Sequence, residues 1–278
     1  MDKASPARMY DYFLGGSHNF PIDRRAAEKV VSVYADMPLV MHANRGFLRR
    51  AVRYLVAQGI DQFLDIGSGI LTAGSVHEIA HRENPASRVI YVDSDPIAVH
   101  HSSAVLKDDP SAAVIQADAR QPDYILSHSD VGRLLDFNQP IGLLLVAVLP
   151  FIAEDHEAYA TVRYLRAALP SGSYIVISHG TYEDAPQEVV VQAERLYATT
   201  TGPQASPPIA HAPNPISDTL SPDLPSIRYS ISIPPSTWQS QEAGLMPLSG
   251  YRLHERCPNP RRLDYSAVTS NRRPVSTS

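Results

Sequence analysis

The chain of 278 residues has one cysteine, Cys257. A single thiol makes an intrachain disulfide impossible, and it excludes cysteine-rich zinc sites. A long apolar run is missing too. The longest, Ile141 to Ile152, is too short to span a bilayer, which takes about 20 apolar residues. Met1 to Tyr10 is polar and has no signal-peptide core. Excess positive charge is absent: 24 Lys and Arg against 29 Asp and Glu leave a net charge of -5. That balance argues against broad nucleic-acid binding, which needs a basic surface. No repeat of fixed period is found. The expectation is a soluble, cytoplasmic protein with neither membrane nor nucleic acid as partner. Nothing in the sequence bears on oligomeric state.

What is present is ordinary globular material. The hydrophobic share of 44% suits one large α/β domain, or one domain with a small appendage. Ile22 to Tyr34 and His42 to Gln58 have helical periodicity, with Pro38 breaking the chain between them. Then short apolar strands (Gln62 to Ile66, Arg88 to Val92, Ala113 to Gln116, Ile141 to Val148, Tyr174 to Ser178) alternate with helical stretches. Those stretches are Ala73 to Arg82, Pro96 to Leu106, Gln121 to Leu135, Asp155 to Leu169 and Pro186 to Tyr197. Such alternation predicts parallel βαβ units in a doubly wound, Rossmann-like α/β sheet. Ligands bind such sheets beyond the carboxyl ends of the strands. From Pro203 to Pro235 prolines dominate, which predicts an irregular, partly extended excursion. Gly244 to Leu253 and Leu263 to Asn271 look like an antiparallel edge hairpin. The expected division is an N-terminal lid with helices over 1–58 and a cofactor-binding α/β domain over 59–278.

The residues with chemical character sit at strand ends. Asp65-Ile66-Gly67-Ser68-Gly69 follows the first strand and precedes a helix. Glycine permits a sharp turn and a close ligand approach, and the following helix offers free amides. Position 72 is Thr, where a dinucleotide fingerprint has its third glycine. An acidic residue just before Gly-x-Gly suits a cofactor with a positive amine; a plain tight turn is the simpler alternative. Asp93 ends the second strand and is placed to accept ribose hydroxyls, while Asp95 is placed to cap the helix from Pro96. Asp118 ends the third strand, to accept an adenine amine beside the Ala119 amide or to cap the next helix. Arg45, Arg49 and Arg53, with Arg50, make a basic stripe. It is either a solvated face or a contact to an acidic substrate or a cofactor carboxylate. Tyr10, Asp11, Tyr12, Gly15, Gly16, Asn19 and Phe20 follow no amphipathic pattern. They read as a loop folded over a ligand, or as an N-terminal turn packed on the sheet.

These motifs together resemble the actinobacterial S-adenosyl methyltransferase family, long catalogued as a domain of unknown function, within the class I superfamily. The resemblance lies in Arg8 to Phe20, Ala43 to Val52, Gln62 to Gly69 and Gly74 to Glu78. It continues through Tyr91 to Pro96, Gln116 to Asp118, Leu143 to Val148, Leu169 to Tyr174 and Ser178-His179. It runs from about Ala7 to Tyr197 and resumes at Glu242 to Leu245. The chain departs from the family at Pro150, where histidine is usual, and in the Pro-rich stretch, where a helix with a Phe-Phe pair is usual. The resemblance implies a class I fold and S-adenosyl-L-methionine as cofactor, and it implies no particular acceptor. Motifs and resemblance together put cofactor contacts at Tyr12, Gly16, Arg45, Asp65, Gly67, Ser68, Gly69, Asp93, Ser94, Asp118, Ala119 and Ala147.

Methyl transfer from a sulfonium is an in-line displacement, so alignment of the acceptor is the protein's main task. A base is needed only where the acceptor must lose a proton first. His179, His18 and Tyr12 are the candidates. His77-Glu78 and His100-His101 lack a metal-ligand set, so no metal is expected. The resulting expectation is a methyltransferase acting on a small-molecule acceptor. Its alternatives are a non-catalytic regulatory or interaction protein that binds the same cofactor, and an NAD(P)-dependent oxidoreductase.

Overall fold

A computed structural model describes residues 3–72, 74–152 and 154–181, with 191, 192, 195, 197, 199, 200, 226–232 and 253–256. Three helices come first: α1 (Pro6–Phe13), α2 (Pro21–Val33) and α3 (Met37–Ala57). The alternating part follows with β1 (Gln62–Ile66), α4 (Val76–Glu83), β2 (Arg88–Asp93), α5 (Pro96–Val105) and β3 (Ala112–Gln116). It continues with α6 (Pro122–Ser127), α7 (Ser129–Leu134), β4 (Gly142–Val146), a 3-10 turn (Leu149–Phe151), α8 (Asp155–Ala168) and β5 (Tyr174–Thr181). Helices α1, α2, α3, α5 and α6 each have a proline in the first turn. An N-terminal amide has no partner within its helix, so proline costs nothing there.

The sheet order is β3-β2-β1-β4-β5, continued by β6 (Ser226–Ser232) and β7 (Leu253–Arg256). Strands β1 to β5 are all parallel; β6 is parallel to β5, and β7 is antiparallel to β6. The order reverses between β1 and β4, and the crevice at such a switch point is where these sheets bind ligands.

Successive side chains on a strand point to opposite faces, and two separate cores result. Leu64, Ile66, Ile90, Val92, Leu143, Leu145, Ile175 and Ile177 face α6, α7 and α8, where Ile125, Val131 and Val162 meet them. Phe63, Val89, Tyr91, Leu144 and Val176 face α3 and α4 and pack on Phe47, Val52, Leu55 and Ile79. Burying such a side chain contributes roughly 1.5–3 kcal/mol. The alternation also decides where the site residues go. Asp65 pairs in register with Tyr91 and lies on the α3 face. Ser178 likewise reaches Asn44 of α3.

Several boundaries differ from the sequence expectation. Pro38 lies inside the first turn of α3, so the helix begins at Met37 and not at His42. α4 begins at Val76 and not at Ala73, because Gly74 sits at φ +79° and Ser75 is extended. In the Pro-rich stretch, Ser226–Ser232 is β6; the rest lies outside the described residues. So do the expected hairpin, except Leu253, and most of the helix expected over Pro186 to Tyr197.

Candidate functional site

The glycine-rich turn and the end of β2 form one unit. Gly67 and Gly69 have φ of +75° and +65°, a backbone region that strains residues with a Cβ. A Cβ on Gly67 would lie 2.5 Å from the Val148 side chain, so the turn passes directly against the segment after β4. The Gly67 and Ser68 amides both donate to the Val92 carbonyl, at 2.8 and 3.1 Å. The Gly69 amide donates to Asp93 Oδ2 at 2.7 Å, and the Asp95 amide to Asp93 Oδ1 at 2.8 Å. The Ser94 amide also faces this carboxylate. Asp93 is buried, and burial above all raises its pKa to about 6, against the pull of those amides. Each carboxylate oxygen keeps a lone pair for a ligand hydroxyl. Ser94 itself is exposed.

Asp65 is the second buried carboxylate. Its pKa is raised to about 7, first by burial and further by the Asp93 charge, while Arg45 opposes the shift. Arg45 Nη2 donates to Thr72 Oγ1 at 3.2 Å, which ties α3 to the turn after Gly69. Its Nε is buried without a hydrogen-bond partner among the described residues. The residue before it, Asn44, donates through Nδ2 to Tyr10 Oη at 3.0 Å and accepts at Oδ1 from Ser178 Oγ at 2.6 Å. Burial raises the Tyr10 pKa, so the phenol remains a neutral donor, and it bonds the Met41 carbonyl at 3.2 Å.

The residues here fit S-adenosylmethionine. A buried carboxylate held above its ordinary pKa gains from an ammonium partner, and Asp65 is such a group. Asp93 offers the acceptor that a ribose needs, and Arg45 has an unsatisfied donor. Ala147 is the single non-glycine residue with positive φ, +58°, among the described residues. Strained backbone of this kind concentrates at ligand sites, and Val148 beside it touches Gly67.

Other expected residues are placed differently. Asp118 is gripped by Arg120, with Nη2 at 2.6 Å and Nε at 3.0 Å. That guanidinium hydrogen bond is the main reason its pKa is lowered. Half-buried Ala119 packs at the edge of the α6–α8 core. Tyr12 Oη points at Glu28 of α2, 3.4 Å away, and not toward the carboxylates. His179 Nδ1 meets the Gly180 carbonyl at 2.6 Å, which makes Nδ1 the donor and leaves Nε2 with the lone pair. Burial lowers its pKa, so the ring is neutral at pH 7. His18 is exposed, and its ring centre lies 3.9 Å from that of His101 at a tilt of 46°, while His101 Nε2 faces the Leu71 carbonyl.

The N-terminal block is not simply the loop its lack of amphipathic pattern predicts. Residues Pro6–Phe13 form α1, whose buried face mixes Arg8 and Asp11 with Met9 and Phe13. Only the segment after α1 is irregular. There Asp11 Oδ2 accepts from the His18 amide and from Asn19 Nδ2, both at 2.8 Å. A side chain on Gly16 would collide with the same carboxylate. Arg8 has a role that its place in the sequence does not suggest. The structure buries it, with Nε on Asp23 Oδ2 at 2.9 Å and Nη1 on Asp95 Oδ2 at 2.8 Å. Asp95 Oδ1 meanwhile caps α5 at the Ile97 amide. Only the invariable positive charge of Arg8 within a polar helix hinted at this.

Comparisons with known proteins give the family. Residues 1–206 match the family model described as S-adenosyl methyltransferase. A crystal structure of a "putative methyltransferase" from Thermobifida fusca YX is similar, with a TM-score of 0.70 and 32% identity over 88% of this chain and 89% of that one. A DUF574 family protein from Streptomyces avermitilis MA-4680 is similar with a TM-score of 0.71 and 37% identity, over 78% of this chain and 82% of that one. No curated protein matches at a significant level. No described helix is long and apolar enough to cross a membrane. The chain belongs to the S-adenosyl methyltransferase family.

Proposed function

We propose that this methyltransferase acts on a small-molecule acceptor, with the cofactor held across the carboxyl ends of β1 and β2. The observation that carries the reading is the buried pair of carboxylates, Asp65 and Asp93, beside the Gly67–Gly69 turn and facing Arg45. When bound, S-adenosylmethionine would supply a methyl group on a cationic sulfur, to be taken by an electron pair of the acceptor with neutral S-adenosylhomocysteine as the leaving group. Asp65 pairs with the cofactor's ammonium, Asp93 accepts its ribose hydroxyls, and Arg45 donates to its carboxylate. The net charge of -5 and the helices packed over this end support a small acceptor against a polyanion. In the same reading, residues 1–58 close the site and the remainder binds cofactor. His179 is neutral and carries its lone pair on Nε2, so it is the base of choice where the acceptor must lose a proton.

Calorimetric titration with S-adenosylhomocysteine and with NADH tests the cofactor. Binding of the first and not the second is expected; the reverse would reinstate the oxidoreductase. Release of S-adenosylhomocysteine across a panel of small amines, thiols, phenols and carboxylates then tests the acceptor. Turnover only on a protein or nucleic acid would overturn the small-molecule reading, and tight binding with no turnover on any acceptor would favour the regulatory alternative.

A further inference from the structure

Arg8 lies at the start of the chain, yet three short contacts connect it to the glycine-rich turn. Its Nη1 donates to Asp95 Oδ2 at 2.8 Å. The Asp95 amide donates to Asp93 Oδ1 at 2.8 Å. Asp93 Oδ2 accepts from the Gly69 amide at 2.7 Å. Every member of the relay is buried or half-buried.

The arrangement is a costly way merely to attach a helix. Arg8 is 4% exposed and shared between two carboxylates, Asp23 at 0% and Asp95 at 8%. Removing such groups from water is expensive, and apolar residues of similar size often stabilise a fold as well. What a guanidinium adds is direction. Its fork bonds Asp23 through Nε, Asp95 through Nη1 and the Lys3 carbonyl through Nη2 at 3.1 Å, with its face 5.6 Å from the Phe20 ring centre. Four planes are fixed at once, which a lysine's single ammonium does not do. Asp95 divides its oxygens: Oδ1 holds α5 through Ile97, and Oδ2 is bonded, among the described residues, by Arg8. Removing Arg8 lets Asp95 turn about its side chain, and the peptide whose amide orients Asp93 is free to follow.

We propose that Arg8 is a positioning residue for cofactor recognition: by holding Asp95 it fixes the Asp93 carboxylate in the orientation that accepts a ribose diol. The site's selectivity for ribose hydroxyls is then set partly by the N-terminal helix, 85 residues upstream of the carboxylate that meets them by number (93 minus 8). This rests on the assignment of Asp93 to the ribose.

The test uses the full-length protein with Arg8→Lys and Asp95→Asn. Calorimetry measures the affinity of each for S-adenosylhomocysteine and for its 2′,3′-dideoxyribose analogue. The unchanged protein is expected to prefer the natural ligand by at least about tenfold. In both variants that preference is expected to shrink to within about threefold, while affinity for the dideoxy analogue changes by less than about threefold. If both ligands weaken equally and the preference persists, Arg8 is ordinary packing and the inference is overturned. If the unchanged protein already fails to distinguish the two, the assignment of Asp93 falls instead. Hydrogen exchange on the unchanged protein decides the matter even where the variants fail to fold. Denaturant that opens residues 6–20 is expected to release the Gly69 and Asp95 amides in the same step. Opening of the helix with those amides still protected would overturn the inference.

Discussion

Asp93 ends β2 and Asp118 lies two residues past the end of the neighbouring β3, and their environments are opposite. Asp93 is buried, held by backbone amides and pushed up to about 6. Asp118 is more open, with 28% of its side chain exposed, and it is pushed down by Arg120. Amides orient a carboxylate without neutralising it, so Asp93 keeps a full charge to offer a ligand. A guanidinium satisfies both oxygens, so Asp118 must loosen an ion pair before it can offer anything. The same residue type near the carboxyl ends of neighbouring strands is therefore held by backbone amides in one case and by a guanidinium in the other.

The largest effect is expected at the turn that supports Asp93. Gly67→Val puts a branched side chain at φ +75°, where even a Cβ meets Val148 at 2.5 Å. S-adenosylhomocysteine binding is expected to fall by more than about a hundredfold, some 2.7 kcal/mol, with a lowered melting temperature. Binding within about tenfold of the parent, read by calorimetry, would remove the turn from the site. Asp93→Ala comes next. Loss of two charge-assisted bonds, each roughly 1.5–3 kcal/mol at best, is expected to weaken binding at least about tenfold. An unchanged dissociation constant would mean that amide-held carboxylates carry no special weight here.

Acidity sharpens the contrast further. Ligand binding to Asp65 and Asp93 favours their ionised forms, so affinity is expected to drop as pH falls through about 7 and then about 6. A several-fold loss between pH 8 and pH 6, with proton release on binding measured in two buffers, is the expected result. A flat profile would show that neither group meets the ligand. Stability of the ligand-free protein runs the other way. Folded Asp65 and Asp93 hold protons up to about 7 and about 6, against 3.8 when unfolded. Their contribution favours the fold below about 3.8 and is lost as pH rises through 6 and 7. Asp118 has the usual sign, its contribution being present above 3.8 and lost in acid. The smallest effect belongs to Asp118→Ala, because exposed pairs contribute roughly 0.2–1 kcal/mol. Its effect on cofactor affinity is expected to stay below about threefold. A tenfold loss would show that Arg120 releases the carboxylate to the ligand, and the contrast with Asp93 would fail.

How much of this was readable in the chain depends on the distance over which each feature is decided. Strands β1 to β5 were legible because each is a short apolar run, and Gly67 and Gly69 mark where the first must turn. The cap at Asp95 was legible because it lies two residues before Ile97. Helix α1 was not, since periodicity counts apolar residues and half of its buried face is ionic. Asp118 and Arg120 are two positions apart, close enough for their pairing to be anticipated, yet strand-end position spoke louder than the neighbouring charge. The partners of Arg8 are 15 and 87 residues away, and no local rule reaches so far.

That separation has a consequence for how the chain is made. Arg8 leaves the ribosome 87 residues before Asp95, an interval on the order of ten seconds at roughly 5–20 residues per second. Asp23 arrives early and holds one side of the guanidinium, so α1 and α2 can pair as a nascent hairpin. The other side waits in water until β2 and the first turn of α5 are complete. Helix α1 can thus cover Met9 and Phe13 against α2 early, while the seat that Asp95 gives its guanidinium comes only 87 residues later.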